Sequence, residues 1–525
     1  MERDNLPAKQ LDYAVFLPAL SGFYATYVGK QRHDPTYVDP TRIPADFENG
    51  IEGLNWLNPD AAYFPYHWAL YSAGHAELDT NKVSPKEDMI RNRDRSRSFV
   101  LGDSGGFQIG KGVWEGDWKN PACPKAQKKR ELVLKWMDAY MDYGMILDIP
   151  AWVCRSPEGR KASGITSYME AVEGTYINND YFMANRTGAC KFLNVLQGEN
   201  HGEAEDWYQR MKKYCDPTQY ERPFNGWAMG GQNMCDVHLI LKRLIALRFD
   251  GLLEKGLHDW MHFLGTSKLE WACLLTDIQR AVRKYHNPNF TVSFDCASPF
   301  LASANGQIYI QTEIENKSKW TYRMVPSVDN KKYSTDTRRF RDAVLQDNLF
   351  KAFTESPISQ RCTIKDICIY KPGDLNKINK EGKTSWDSFS YAIQMGHNVW
   401  SHLTAVQTAN QEYDRGIMPA MMHSETADKK TPRNYGTNTF REIVDLIFAV
   451  DNRKDALALI EYYSAYFQDI RGTRGATGDK AVNAGTMFNS LFESEEPEEH
   501  HIDDSGLDES VLDNLENGLV EYNEA

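Results

Sequence analysis

The fold of this chain is most tightly constrained by short apolar runs, each ending in a glycine or an acid and each followed by a helical pattern. Six such runs occupy residues 98–103, 144–148, 191–198, 226–231, 262–265 and 291–295. Between them, apolar residues recur every three or four positions, as in 132–140 and 239–247, which is the spacing of one helix face. A regular series of strand and helix predicts parallel strands joined by helices.

Two earlier runs, 13–17 and 61–66, would bring the strands to eight, the number in a TIM (β/α)8 barrel. Functional groups in such a barrel lie at the C-terminal ends of the strands. An open doubly wound sheet is the alternative, and it would concentrate its site at one switch point. Here polar or glycine residues follow five different strands, namely Asp103, Asp148, Gln197, Gly231 and Asp295. We therefore predict an α/β fold of the barrel type.

The negative charge of the chain is concentrated at its C-terminal end. The 525 residues include 60 basic and 73 acidic side chains, a net charge of −13, yet residues 493–525 hold 13 acids and no Lys or Arg. The rest of the chain is therefore balanced, which is compatible with local basic patches that bind nucleic acid. We expect 491–525 to be a solvated acidic tail. A nucleic-acid mimic that tunes binding is the alternative.

Neither a membrane nor an oxidising compartment is indicated. No apolar run is long enough to span a bilayer, and residues 1–5 lack the basic and apolar regions of a secretory signal. Nine scattered cysteines do not suggest a disulfide framework. We expect a cytoplasmic protein without a membrane partner.

Two carboxylates, Asp103 and Asp295, each end an apolar strand, and this arrangement suits chemistry at the anomeric carbon of a sugar. There, one carboxylate attacks the sugar carbon and a second moves protons. The common alternative for an acid after a strand, which applies to Asp103 and Asp148, is a helix N-cap. The glycines at 105 and 106 could likewise form only a tight turn.

Further motifs accompany these acids in order along the chain. They are 103–108 (DSGGFQ), Asp148, 195–198 (VLQG), 230–231 (GG), 264–265 (LG), 295–299 (DCASP), 305–307 (NGQ) and 397–398 (HN). With this series the chain resembles the tRNA-guanine transglycosylase superfamily, barrel enzymes that exchange a guanine in nucleic acid for a 7-deazaguanine base. The match runs from about 98 to 397.

The resemblance implies that Asp295 is the nucleophile, forming a covalent glycosyl-enzyme, and that Asp103 is the general acid/base at the glycosidic nitrogen. It implies that Asp148 accepts hydrogen bonds from the donor edge of guanine, whose adjacent N–H groups one carboxylate can accept together. Gln197 and the backbone N–H of Gly231 would meet the carbonyl oxygen, where a glycine lets the backbone approach closely. Two displacements at one face retain the configuration of the sugar.

The resemblance also assigns the walls of the base pocket. Phe107 and Leu264 would sandwich the base, with core packing of Phe107 as the alternative. Three small residues complete the pocket, namely Ser104, Gly105 and Gly230. Gln232 lies where relatives approach the 7-substituent, which leaves cyano, aminomethyl and other derivatives open. Cys296 is interpreted as a small buried hydrophobe.

The zinc site of the family is only partly present. Its three closely spaced cysteines and distant histidine are represented by Cys362, Cys368 and His397, with the middle cysteine missing. A structural zinc site needs four ligands. The candidates for the fourth ligand are His402, Asp366 and His423. Zn²⁺ is thus a prediction of the resemblance, and no nucleotide cofactor is expected.

The polymer substrate is indicated by two positions at which the tRNA enzymes of the family contact the anticodon loop. Two arginines that hold the anticodon loop in tRNA enzymes are Leu301 and Ala304 here. Loss of two charge-assisted contacts removes much of that grip. Residues 307–361 mix basic and aromatic side chains, a composition that can track phosphates and stack on bases, or form a solvated insertion. The chain is most similar to the 7-deazaguanine DNA transglycosylases of bacteria and bacteriophages, and duplex DNA would require extrusion of the target nucleotide.

The predicted function is replacement of guanine in DNA by a 7-deazaguanine derivative, in a host cytoplasm if the gene is that of a phage. DNA and the free base are the expected partners, and a homodimer is left open. Alternatives are an enzyme acting on tRNA, a non-catalytic nucleic-acid-binding subunit and a glycoside hydrolase. The non-catalytic subunit has no reason to keep both Asp103 and Asp295, and the hydrolase leaves the guanine-reading residues unexplained.

The change of composition after 306 predicts the domain organisation. The expected parts are a barrel core at 1–306, an insertion with a degenerate zinc-like subdomain at 307–402, a helical region at 403–490 and the acidic tail at 491–525. Within the later parts, 386–413 and 436–470 have helical patterns.

Overall fold

The computed structural model describes residues 12–314, 320–347, 352–372, 383–424 and 438–470, and it confirms the predicted barrel. Eight parallel strands pair in the order β1-β8-β7-β6-β5-β4-β3-β2. Their bounds are β1 Val15–Pro18, β2 Trp68–Ser72, β3 Phe99–Asp103, β4 Tyr143–Met145, β5 Lys191–Leu196, β6 Gly226–Met229, β7 Trp260–Phe263 and β8 Thr291–Cys296. The seam between the first two strands is joined by a parallel bridge of Ala19 with Leu70 and by a 2.9 Å hydrogen bond from Leu20 N to Leu70 O.

Helices follow the strands as the sequence predicts. Those of the barrel and its loops are α1 Gly22–His33, α2 Asp88–Arg91, α3 Gly106–Gly110, α4 Pro124–Tyr140, α5 Pro157–Ser163, α6 Tyr168–Asn185, α7 His201–Met211, α8 Val237–Phe249, α9 Leu269–Tyr285 and α10 Ser298–Ala304. In the loops after three strands, polar side chains cap the next helix: Ser21 for α1, Asn200 for α7 and Asp236 for α8 each accept a backbone N–H of the first turn. Such caps satisfy donors that the helix itself leaves unpaired.

The prediction of a strand at 61–66 is wrong, because the second strand is β2, just beyond it. Pro65 has no N–H to give to a central ladder. The segment instead pairs with the preceding loop, where Tyr63 N donates to Gly53 O at 2.8 Å and Tyr66 N to Trp56 O at 2.9 Å. The other seven predicted strands all overlap strands of the barrel.

Aromatic side chains fill the barrel at the N-terminal ends of its strands. Trp68, Phe99, Tyr143 and Trp260 are the first residues of β2, β3, β4 and β7. The ring of Trp260 stacks on Phe99 with centroids 4.6 Å apart and lies 5.4 Å from Tyr143 and 5.8 Å from Trp68. Since side chains alternate along a strand, the next inward positions lie towards the C-terminal ends. The layer closes one end of the barrel and leaves polar groups at the other.

The chain after the barrel adds two small sheets and further helices. The strands are β9 Gln307–Glu313 with β10 Thr321–Pro326 and β11 Lys371–Pro372 with β12 Lys383–Thr384, both pairs antiparallel. The helices are α11 Phe340–Asp347, α12 Ile364–Ile367, α13 Ser388–Asp414, α14 Phe440–Ala449, α15 Arg453–Tyr462 and α16 Ser464–Asp469. The 3₁₀ helices within the described ranges are Pro40–Arg42, Gly50–Leu54, Pro85–Glu87, Ala151–Arg155, Lys212–Cys215, Gly231–Met234, Lys331–Thr335, Ser359–Arg361 and Ala420–Met422. Helix α13 confirms the pattern at 386–413, and three shorter helices account for 436–470.

The aromatic residues of the basic-aromatic segment do not form a stacking surface where the structure describes them. Four of them, Trp320, Tyr322, Tyr333 and Phe340, are buried in the core. Neighbouring cations pair locally, as Arg323 does with Glu313. Lys317, Lys319 and the acidic tail lie outside the described residues. None of the helices in the described ranges is long and apolar enough to cross a bilayer.

Candidate functional site

Three carboxylates meet at the C-terminal mouth of the barrel. Asp103 is the last residue of β3, Asp148 lies three residues after β4, and Asp295 is the penultimate residue of β8. The charges of Asp295 and Asp148 both interact with Asp103, so the three groups share one electrostatic environment. Neither Asp103 nor Asp148 caps a helix, because the N-cap residues that follow them are Gly105 and Pro150.

Asp103 is a partly exposed acid at the end of β3, and it is hydrogen-bonded to the neighbouring strand. Burial raises the pKa of its carboxyl, and the nearby charge of Asp295 raises it further. The hydroxyl of Ser72 donates to Oδ2 at 2.7 Å, and Gly105 N–H lies 3.4 Å from Oδ1. Ser72 was not predicted, although it faces Asp103 directly in the register of β2 and β3. A raised pKa favours the protonated carboxyl, the form that can give a proton to a leaving group.

Asp148 and Gln197 form a buried pair across neighbouring strands. The amide Nε2 of Gln197 donates to Asp148 Oδ2 at 2.8 Å. Burial raises the pKa of Asp148 to about 7, with the charge of Asp103 adding to the shift and the bond from Gln197 opposing it. Among the described residues, the other group that donates to this carboxylate is the backbone N–H of Asp148 itself, so the carboxylate keeps acceptor capacity for the N–H groups of a ligand.

Two glycines bring backbone close to this pair. A Cβ at Gly106 would lie 2.5 Å from Asp148 O, and one at Gly231 would lie 2.3 Å from Gly198 O, with φ of +55° at Gly231. The N–H groups on either side of Gly231 donate hydrogen bonds within the protein. Gly230 N donates to Leu196 O at 2.8 Å, and Gln232 N donates to Gly198 O at 2.7 Å. Within the described ranges, Gly231 N–H has no acceptor, so it can donate a hydrogen bond to a ligand oxygen.

The predicted pocket walls are present, with one aromatic residue that was not predicted. Phe107 is half-buried, and its ring centroid lies 5.7 Å from that of Trp152 and 5.1 Å from Lys111 Nζ. Trp152 belongs to the 3₁₀ helix Ala151–Arg155 and lies four residues after Asp148. Leu264 is also half-buried, directly after β7. The sandwich of a base between Phe107 and Leu264 stays a prediction.

Other predicted pocket residues are held by the protein itself. Ser104 is buried, and Gly105 has φ of +76°, where an added Cβ would lie 2.6 Å from the ring of Trp114. Gln232 is buried, and its Nε2 donates to Asp236 Oδ2 at 3.1 Å. That carboxylate also lies 2.7 Å from His201 Nε2. The amide nitrogen of Gln232 is thus engaged, and its role in choosing the 7-substituent stays a prediction.

Asp295 is held through one of its two oxygens. Gly265 N–H donates to Oδ1 at 3.0 Å, and His262 Nε2 lies 3.1 Å from the same atom. In the part of the chain that the structure describes, nothing donates to Oδ2, and the residue keeps 9% of its surface exposed. His262 was not predicted as a site residue. Its signal was the alternation along β7, because it lies two residues before Leu264 on the same side.

The predicted zinc ligands are separately engaged. Cys362 Sγ contacts Ile358 O at 3.4 Å, and Cys368 Sγ contacts Asn330 O at 3.4 Å. The ring of His397 lies 2.8 Å from both Ser356 Oγ and Tyr309 O, and burial lowers its pKa to about 4.

A carbonyl can only accept, so Nε2 of His397 carries the proton and Nδ1 accepts from Ser356. Neither ring nitrogen then has a lone pair for a metal. No group of three metal-ligating side chains occurs within the described ranges, so these residues as arranged do not fit Zn²⁺. Zinc stays a prediction of the resemblance, which metal analysis of the wild type and His397→Ala would test.

A scan against protein-family models and a search of the curated proteins find no match to this chain. The chemistry must therefore come from the site. Asp295 presents one unpaired carboxylate oxygen, and its charge helps to raise the pKa of Asp103. Asp148 presents a carboxylate acceptor, and Gly231 presents a backbone donor. These groups suit substitution at a sugar carbon that bears a base with adjacent donors and a carbonyl.

Proposed function

We propose that the protein is a base-exchange transglycosylase that replaces guanine in DNA with a 7-deazaguanine derivative. The observation that carries the proposal is the pairing of two unlike carboxyls at one barrel mouth. Desolvation and the charge of Asp295 raise the pKa of Asp103, whereas Asp295 receives two hydrogen bonds on Oδ1 and keeps Oδ2 open. One group is suited to carry a proton and the other to attack.

In the first half of the reaction, Asp295 Oδ2 attacks C1′ of the nucleotide. The bond from C1′ to the base breaks, its electron pair goes to the glycosidic nitrogen, and Asp103 supplies the proton that nitrogen needs. In the second half, Asp103 removes the N–H proton of the incoming base, whose nitrogen attacks C1′ and releases the Asp295 carboxylate. One glycosidic bond replaces another, so no nucleotide cofactor is required, and the sugar keeps its configuration.

Recognition of guanine is attributed to Asp148, Gln197 and Gly231. The carboxylate of Asp148 accepts from the adjacent ring and amino N–H groups of the base. Gly231 N–H donates to the carbonyl oxygen, together with the second amide hydrogen of Gln197, whose first is held by Asp148. A base without this pattern of donors and acceptor would leave buried polar groups unpaired, which costs affinity.

Two positions favour DNA as the polymer, namely those at which similar enzymes carry the arginines that contact tRNA. Leu301 and Ala304 lie in α10 and are only 3% and 5% exposed. They contribute apolar packing and no charge for an anticodon loop. Reaction within a duplex requires the target nucleotide to leave the stack, since its glycosidic bond is otherwise out of reach of a barrel mouth.

The experiment that tests the polymer and the reaction together is incorporation of labelled guanine or a labelled 7-deazaguanine. Purified protein receives duplex DNA, single-stranded DNA and tRNA in parallel. We expect label in DNA and none in tRNA. Label in tRNA alone would mean that tRNA, and not DNA, is the substrate. Label in no polymer would contradict base exchange. Release of sugars from oligosaccharides would instead support a glycoside hydrolase.

The covalent step is tested by trapping the glycosyl-enzyme on a denaturing gel. We expect Asp295→Asn to abolish both trapping and exchange, because an amide is a poor nucleophile. Asp60→Asn is the matched control, since its carboxylate is exposed and pairs with Arg97 on the surface. Trapping by Asp295→Asn at the wild-type level would rule out Asp295 as the nucleophile.

A further inference from the structure

We infer that His262 is a positioning residue for the nucleophile, one that ties down Oδ1 of Asp295 so that Oδ2 is the oxygen that attacks the sugar. The inference rests on the proposed function and deepens it. It is carried by a line of hydrogen bonds inside the barrel that runs from Trp260 through Ser293 and His262 to Asp295.

Strand register places these side chains in line. In the pairing of β7 with β8, His262 lies opposite Ser293, and Trp260 lies opposite Thr291. Alternation directs Trp260 and His262 to one side of β7, and Ser293 and Asp295 to one side of β8. The line therefore climbs from the aromatic layer at the closed end of the barrel to the acid at its mouth.

The donors and acceptors of this line determine which nitrogen of His262 carries the proton. Trp260 Nε1 can only donate, and it lies 2.8 Å from Ser293 Oγ. Ser293 uses a lone pair to accept it and can pass its own hydrogen to His262 Nδ1, 2.9 Å away. A carboxylate oxygen can only accept, so Nε2 bears the hydrogen that faces Asp295 Oδ1 at 3.1 Å.

Burial makes the arrangement rigid. His262 and Ser293 have no exposed surface, so water does not compete for their hydrogen bonds. Trp260 is held by its stack on Phe99 at 4.6 Å. Fixed donors in a site without water contribute more than mobile ones, because they need no reorganisation during the reaction.

The chemical consequence follows the charge on Asp295. Gly265 N–H and His262 Nε2–H both donate to Oδ1. When Oδ2 bonds to C1′, Oδ1 becomes the carbonyl oxygen of the ester. When the second base attacks C1′, the C1′–Oδ2 bond breaks and its electron pair returns to the carboxylate. The two donors stabilise the charge on Oδ1 at both ends of this cycle, and His262 itself gains and loses no proton.

A matched pair of variants tests this role. The amide nitrogen of His262→Gln reaches the place of Nε2, whereas that of the shorter His262→Asn does not. We expect single-turnover formation of the glycosyl-enzyme to slow about 100-fold in His262→Asn, the loss typical of a misplaced reacting group, and to recover substantially in His262→Gln. The KM for the free base should stay unchanged in both, because Asp148 and Gln197 are intact.

A measurement without substrate separates this inference from the proposed function. With ¹⁵N-histidine labelling, the signals lost in His262→Gln identify the residue, and we expect them to report hydrogen on Nε2 and none on Nδ1. Ser293→Ala, which removes only the hydroxyl that faces Nδ1, should shift the Nδ1 signal, leave the hydrogen on Nε2 and slow trapping about 10-fold, within the range for outer hydrogen-bond partners.

The outcomes are distinct. An active wild type with equal rates in the Gln and Asn variants, or hydrogen on Nδ1, would overturn the role of His262 and leave base exchange standing. A wild type that exchanges no base in any polymer would refute the proposed function and, with it, the role that depends on it.

Discussion

Replacing Asp148 with Asn is expected to stabilise the folded protein while removing its grip on guanine. Burial raises the pKa of Asp148 from 3.8 to about 7. The folded state therefore holds the proton more tightly than the unfolded chain, and wild-type stability declines as pH rises from about 4 towards 7. Asn resembles the neutral acid and can still accept from Gln197, so this decline should be absent from the variant.

The size of the effect follows from about 1.4 kcal/mol for each unit of pKa difference. At pH 8 the ionised carboxyl costs about 4 kcal/mol of folding free energy, and at pH 5 about 1.5 kcal/mol. The stability advantage of Asp148→Asn should thus grow by about 2.5 kcal/mol between pH 5 and pH 8. Such a trade of stability for function is common at active sites.

Urea unfolding of wild type and variant at pH 5 and pH 8 measures this difference. Asp60→Asn serves as the control, since its exposed carboxylate should give a small difference at both pH values. A stability difference between Asp148→Asn and wild type that does not change with pH would refute the argument, because it would mean that the carboxyl is solvated in the folded protein.

Two further predictions concern the base site. In the wild type, kcat/KM for the free base should fall about tenfold from pH 8 to pH 6 as Asp148 takes up its proton, with a flat profile in Asp148→Asn, and steady-state exchange assays measure both. Gly231→Ala should lose both stability and base affinity, because its Cβ would lie 2.3 Å from Gly198 O at a positive φ. Gly251→Ala, also at positive φ but in open space, should show only the backbone cost of about 1–2 kcal/mol in urea unfolding.

Much of the architecture was predictable because each barrel element depends on local pattern. Seven of the eight strands were located from apolar runs, and Asp103, Asp148 and Asp295 from their positions at strand ends. The strand predicted at 61–66 was wrong because an apolar, aromatic segment can pack against a loop as well as in a sheet. Pro65 was the one residue in it that argued against a central strand. Similarly, aromatic residues in 307–361 suggested a stacking surface, but the four discussed above are buried in the hydrophobic core.

The sequence by itself determined the order of strands and helices and which acids reach the mouth of the barrel, since these follow from periodicity along the chain. Only the tertiary structure decided what those acids touch. Ser72 beside Asp103, and His262 with Ser293 behind Asp295, are contacts across neighbouring strands. Such contacts depend on strand register, which pairs residues far apart in the chain and leaves no repeat in the linear sequence.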